Sequence, residues 1–228
     1  MISLTPGRRK GAVLKKPVAY ALFVILGLAV GVIVAGVVFA AFGNPLFEDM
    51  RPKPEEPSNT GNSELVAMAF SVAGSIRDGD YQTLSQVAHP ELGVVFSPYA
   101  TINFTTNKWF QAEHIAAFDT DTSSYVWGVY TGSGEPIELT VAEYFSLFVY
   151  DKDYVNATVI GVNKIVRTGN ALENITDVFP DVRFVDFYVH RSENDDAEAR
   201  GWSSLRLGFE EHGGSIWLTV ILRSKWTV

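Results

Sequence analysis

Two stretches carry side chains whose types and spacing can do chemistry. In RFVDFYVH, residues 183–190, Asp186 shares a strand face with Phe184 and Tyr188, where a charge is out of place unless paired or functional. A carboxyl group among aromatics holds its proton more tightly, which suits a proton shuttle. Arg206, between Leu205 and Leu207 in a neighbouring β-rich run, offers the plainer alternative of a structural ion pair. The pair is the favoured reading. In HPELGVVFSPYA, residues 89–100, Pro90 pushes His89 out of the helical region, Gly93 opens a strand, and Pro98 ends it before Tyr99. His89 therefore reads as a corner residue tethered by a ring hydrogen bond, since catalysis would need a second partner that the sequence does not display. The candidate catalytic residues are Asp186 and His89. Tyr99, Trp109, Tyr188, Arg206 and Trp217 are the candidate ligand contacts, although aromatics in a β-rich domain are more often core.

Other chemistries lack their signatures. The chain contains no cysteine, which removes disulfides, thiol nucleophiles and cysteine metal ligands together. His89, His114, His190 and His212 are widely spaced, with no HExxH. Asp151-Lys-Asp153 and Asp119-Thr-Asp121 hint at calcium loops, but both lack the glycine and the terminal glutamate such loops require. No metal and no cofactor are implied. Gly132-Ser-Gly134 is a turn rather than a nucleophile elbow, and neither a phosphate-binding loop nor a dinucleotide fingerprint occurs.

The elements that must position these residues follow a basic, then apolar, N-terminus. Residues 1–17 hold Arg8, Arg9, Lys10, Lys15 and Lys16 without an acid, so the net charge of −8 leaves −13 for residues 18–228. That part repels nucleic acid and anionic lipid. Residues 18–42 are 25 consecutive positions without a charge. As a helix they would extend roughly 37 Å, enough to cross a bilayer. A cleaved signal peptide is the competing reading, and the length argues for an uncleaved anchor. Basic residues before the span and Glu48, Asp49, Glu55 and Glu56 after it keep 1–17 cytoplasmic and the remainder extracytoplasmic. Gly27 and Gly31 form a GxxxG through which two spans can pair as a homodimer. Residues 43–62, with four prolines, read as a stiff linker, and a single domain occupies 63–228.

Leu65, Ala69, Val72, Ala73 and Ile76 predict an amphipathic helix over 64–77, and Asp80 caps a short second helix. Strands are expected at 94–96, 101–105 and 125–130, with a helix near 111–118. A capping box, Thr140 with Glu143, starts another at 140–149. The runs 182–190, 202–211 and 215–226 alternate as β strands, the last with Ile216, Leu218, Val220 and Leu222 on one face. Helices early and a β-meander late imply an α+β domain, its N-terminal helices packed on a curved antiparallel sheet.

This order, with IRDGDYQTLSQVAHPELGVVFSPY at its start and WSSLRLGFEEHGGSIWLTVI at its end, resembles the NTF2-like (cystatin-like, SnoaL-type) superfamily. It is also similar to uncharacterised, membrane-anchored extracytoplasmic bacterial proteins. The resemblance spans roughly residues 64–228, with a longer middle at 131–180, and implies a cone-shaped cavity between helices and sheet. Members include enzymes, ligand-binding domains and scaffolds, so three functions are carried forward. The favoured one is a non-enzymatic, single-pass, membrane-anchored binding domain for a small ligand or a protein partner. The second is an assembly scaffold of an envelope or secretion complex, with a VirB8-like layout. The third is an isomerase or hydrolase using Asp186 or His89.

Overall fold

The structure is a computed structural model and describes residues 59–190 and 201–227. The basic tail, the apolar span with Gly27 and Gly31, most of the linker and the acidic run at 193–198 lie outside the described residues. Among those described, no helix is long and apolar enough to cross a membrane.

Helix α1, Asn59–Asp78, starts inside the segment read as linker. Its buried stripe is Leu65, Ala69, Val72, Ala73 and Ile76, the residues whose spacing predicts it. Helix α2, Tyr81–Gln86, is capped by Asp80, whose carboxylate accepts from the Thr83 amide. Strands β1 (Val94–Ser97) and β2 (Lys108–Phe110) follow, then α3 (Ala112–Ile115). Strands β3 (Ser124–Val129) and β4 (Pro136–Thr140) make a separate antiparallel pair. The capping box opens α4, Val141–Tyr144, which widens into a π-helical turn at Phe145–Val149. Strand β5 (Val159–Val162), helix α5 (Ile175–Val178), and strands β6 (Arg183–Val189), β7 (Ser203–His212) and β8 (Ser215–Ser224) complete the domain.

The main sheet is curved and antiparallel-rich, in the order β2-β1-β8-β7-β6-β5. One pairing departs from the expected meander: β1 runs parallel to β8. Parallel neighbours need a long crossover, and here nearly the whole domain lies between them. The expected strand at 101–105 is instead a turn; the sheet edge is β2, with Trp109 opposite Val95. Short strands β4, which alternates only over Ile137–Thr140, and β5, which does not alternate, lie in the long middle segment.

Both faces of the sheet are buried. Val185, Phe187, Leu205, Leu207 and Ile221 share a core with α1, α2 and the aromatic side chains Phe96, Trp127, Tyr144 and Phe145. Trp127 and Tyr144 stack at 3.9 Å, and Phe96 meets five other aromatic rings edge-on or tilted. Strand alternation sends Val95, Phe184, Val220 and Leu222 to the opposite face, covered by Ile175, Phe179 and Val182. Asn174 pins that cover through both ends of its side-chain amide: Ile102 N donates to its Oδ1 at 2.8 Å, and its Nδ2 donates to Ile102 O at 3.0 Å.

A bulge between Gly208 and Phe209 places Val220 and Leu218 opposite consecutive β7 residues, leaving Thr219 over. The expected single face of β8 is thereby divided: Leu218 joins the helix-side core, whereas Val220 and Leu222 join the other. Gly213 and Gly214, with φ of +61° and +77°, make the β7–β8 turn, as a two-residue hairpin requires. Gly93 has φ +68°, and a Cβ there would lie 2.4 Å from the Phe110 carbonyl oxygen. We expect Gly93→Ala to cost at least about 2 kcal/mol, from strain and displacement of the edge strand β2. Urea unfolding of the full chain measures this, and an unchanged midpoint would refute it.

Candidate functional site

Asp186 is fully buried on the sheet face opposite α1, so it does not look toward the core that α1 and α2 share with the sheet. Arg206 stands opposite it in the β6–β7 register and is equally buried. One guanidinium serves two carboxylates. Its Nη1 donates to Glu173, which also accepts from Ser224 Oγ at 3.0 Å; its Nη2 reaches Asp186 Oδ2 at the longer distance of 3.4 Å. The Val166 amide donates to the same Asp186 oxygen at 2.8 Å, while Oδ1 has no partner. Burial outweighs Arg206 and the Val166 amide and holds the Asp186 carboxyl above the usual carboxylate range. The guanidinium also lies 5.6 Å from the Phe184 ring centroid. This is a structural ion cluster under the 163–182 cover.

His89 is buried at the corner before β1. Its Nδ1 accepts from the Glu91 and Leu92 amides at 3.2 and 3.0 Å, so the neutral ring carries its proton on Nε2. The backbone is tied as well: His89 N donates to Leu218 O, and Gly93 N donates to His89 O. Burial, then the His212 ring at a centroid distance of 5.1 Å, lower its pKa, with Glu91 opposing. The two histidines border an open cleft of 560 Å³ with Glu91, Asp181, Arg183 and Glu210. Among the described residues no group of three or more metal-ligating side chains gathers there or elsewhere.

A second cleft, of 410 Å³, opens where β1 and β8 end side by side. Tyr99 follows β1, held by Ser97 Oγ, which donates to Tyr99 O and Thr101 O at 2.8 and 3.0 Å. Lys225 and Trp226 follow β8; Tyr130 and Phe148 close the helix side. Arg223 forms the floor. Its Nη1 donates to Leu147 O at 2.7 Å and to Asp151 Oδ2 at 3.0 Å, and its guanidinium sits 4.7 Å from the Phe148 ring centroid. Asp151 is fixed in turn by the Tyr154 hydroxyl, which also meets Ser203 Oγ at 2.7 Å. The side chain of Arg223 is only 6% exposed, and its Nε is buried without a partner. Burial and the Arg223 charge hold the Lys225 amine below its ordinary value, with Asp151 opposing.

The residues singled out from sequence are not brought together. Tyr99 lines the Arg223 cleft. Trp109 lies in an apolar groove of 260 Å³ with Leu92, Phe104 and Phe179. Tyr188 packs beside Trp202 and receives a long hydrogen bond from Arg167, Arg206 is locked in its ion cluster, and Trp217 donates to His212 O within the hairpin. Arg223 and Lys225 were legible only as alternating positions of the last strand; a cation beside Trp226 was the available signal. No protein-family model, no curated protein and no solved structure matches this chain.

Two outcomes follow. Arg206→Met should cost about 3–5 kcal/mol, because it strands two carboxylates, whereas Asp186→Asn should cost clearly less. Equal losses in urea unfolding would refute this by showing Asp186 to be as essential as Arg206. The lowered pKa of His89 means that its neutral ring stabilises the fold above its unfolded value of about 6.5 and loses that contribution as pH falls through the lowered value. The unfolding midpoint should fall on acidification from about pH 7 to pH 5, and His89→Leu should flatten this slope; an undiminished slope assigns it to other groups.

Proposed function

We propose that this chain is a membrane-anchored binding module rather than an enzyme, held by residues 18–42, with its NTF2-like domain extracytoplasmic. The observation that carries the reading is the Arg223 cleft, which is open, lined by aromatic side chains and, among the described residues, free of acids along its walls. Concave sites of this kind, mostly apolar with a few convergent polar groups, suit small molecules. Helices α1 and α2 on one face of a curved sheet support the NTF2-like reading. Catalysis by Asp186 has less support, because its carboxyl is paired with Arg206 and none of the three clefts described contains it. The uncharged length of 18–42 and the basic residues before it support the anchor and its orientation.

A second reading, assembly with a protein partner, is favoured by one specific feature. Leu92, Phe104 and Trp109 are each about half exposed around the groove at the β2 edge, and clustered exposed apolar side chains mark partner surfaces.

Native mass spectrometry of the full chain, released from membranes in mild detergent, tests both. A chain that partitions with membranes and retains a small-molecule adduct, lost in Trp226→Ala, supports the binding module. A multimer without adduct, dispersed by Trp109→Ser, supports assembly. A soluble, bare monomer would refute both.

A further inference from the structure

Among the described residues, no carboxylate lines the Arg223 cleft. Asp151 takes one nitrogen of the guanidinium from the rear, together with Leu147 O, and Lys225 has no ion-pair partner among the described residues. Two cations therefore meet in one concavity of a chain whose net charge is −8. Arg223 Nε has no partner among the described residues, and a buried N–H is costly to leave without an acceptor. A guanidinium beside an ammonium presents charged N–H donors that suit the two oxygens of a carboxylate. Around these cations stand Tyr99, Tyr130 and Trp226, flat surfaces that take a planar ring in stacked or edge-on contact. Tyr130 and Trp226 are well exposed, at 40% and 37%, whereas Arg223 is buried, so the site is apolar at its rim and charged at its floor.

Resting on the reading of this cleft as a small-ligand site, we propose that it binds a small organic anion carrying a flat ring. The carboxylate lies against Arg223 and Lys225, and the ring lies among Tyr99, Tyr130 and Trp226. A bound anion would also favour the charged form of Lys225, which burial and Arg223 disfavour in the empty cleft.

The test uses the full chain in detergent micelles and follows the indole N–H resonance of Trp226, assigned by its disappearance in Trp226→Phe. Three probes are titrated: benzoate, its neutral isostere benzamide, and acetate, an anion without a ring. Benzoate should shift the resonance with an affinity about tenfold or more above either other probe. Lys225→Gln, which keeps the length and polarity of this partly buried side chain, should weaken benzoate several-fold and leave benzamide unchanged. If benzamide binds as well as benzoate, or Lys225→Gln leaves benzoate untouched, the anion assignment is overturned while the cleft remains a ligand site. If no probe moves the resonance, the binding reading of this cleft falls as well.

Discussion

A sheet buried on both faces leaves no solvent side on which a central strand can place a charge, yet β6, β7 and β8 carry Asp186, Arg206 and Arg223. The rest of the domain is arranged around neutralising them. Arg206 is answered by Asp186 across the strand pair and by Glu173 from the covering segment; Arg223 is answered by Asp151 from the loop after the π-helical turn. Each acid that leaves the sheet to reach its arginine brings a stretch of irregular chain with it. The ion pairs thereby help fix where 147–154 and 163–175 lie, the first also held by the buried side chains of Phe148, Val149 and Tyr154. Desolvated pairs of this sort add little net stability, but breaking one is expensive, so they select one arrangement of the cover over others.

The two pairs differ in completeness. Arg206 is enclosed by aromatic and aliphatic side chains and has no route to solvent. Arg223 has the same rear anchoring but meets a cleft in front. The same device, an arginine rising from a central strand and braced by a loop carboxylate, serves architecture in one place and presents a charge in the other.

What was legible in the sequence follows from how local each cause is. Helix α1, its buried stripe, the Asp80 cap and the Thr140–Glu143 box depend on residues within one or two turns of each other. Pairing Asp186 with Arg206 was also within reach, because adjacent antiparallel strands were expected and both residues interrupt apolar alternation. Glu173 was not, since nothing in its own surroundings marks it as the arginine's closer partner. The parallel pairing of β1 with β8 depends on chain ends more than a hundred residues apart. Alternation failed in β8 because one surplus residue, Thr219, is invisible until the register with β7 is known. The candidate cleft was correspondingly illegible: Tyr99, Tyr130, Phe148 and Arg223 come from four separate segments, and only Tyr99 had drawn notice.

That surplus residue acts as a phase shifter. Counted in strict twos from Leu218, Arg223 would fall on the same side as Arg206, placing two guanidiniums beneath one cover, where Glu173 and Asp186 already serve the first. The half-period slip at Thr219 separates them, sending one cation to each side of the sheet. The polarity of the domain, with a sealed charge on one side and a presented charge on the other, is thus encoded as a counting error of one residue in its last strand.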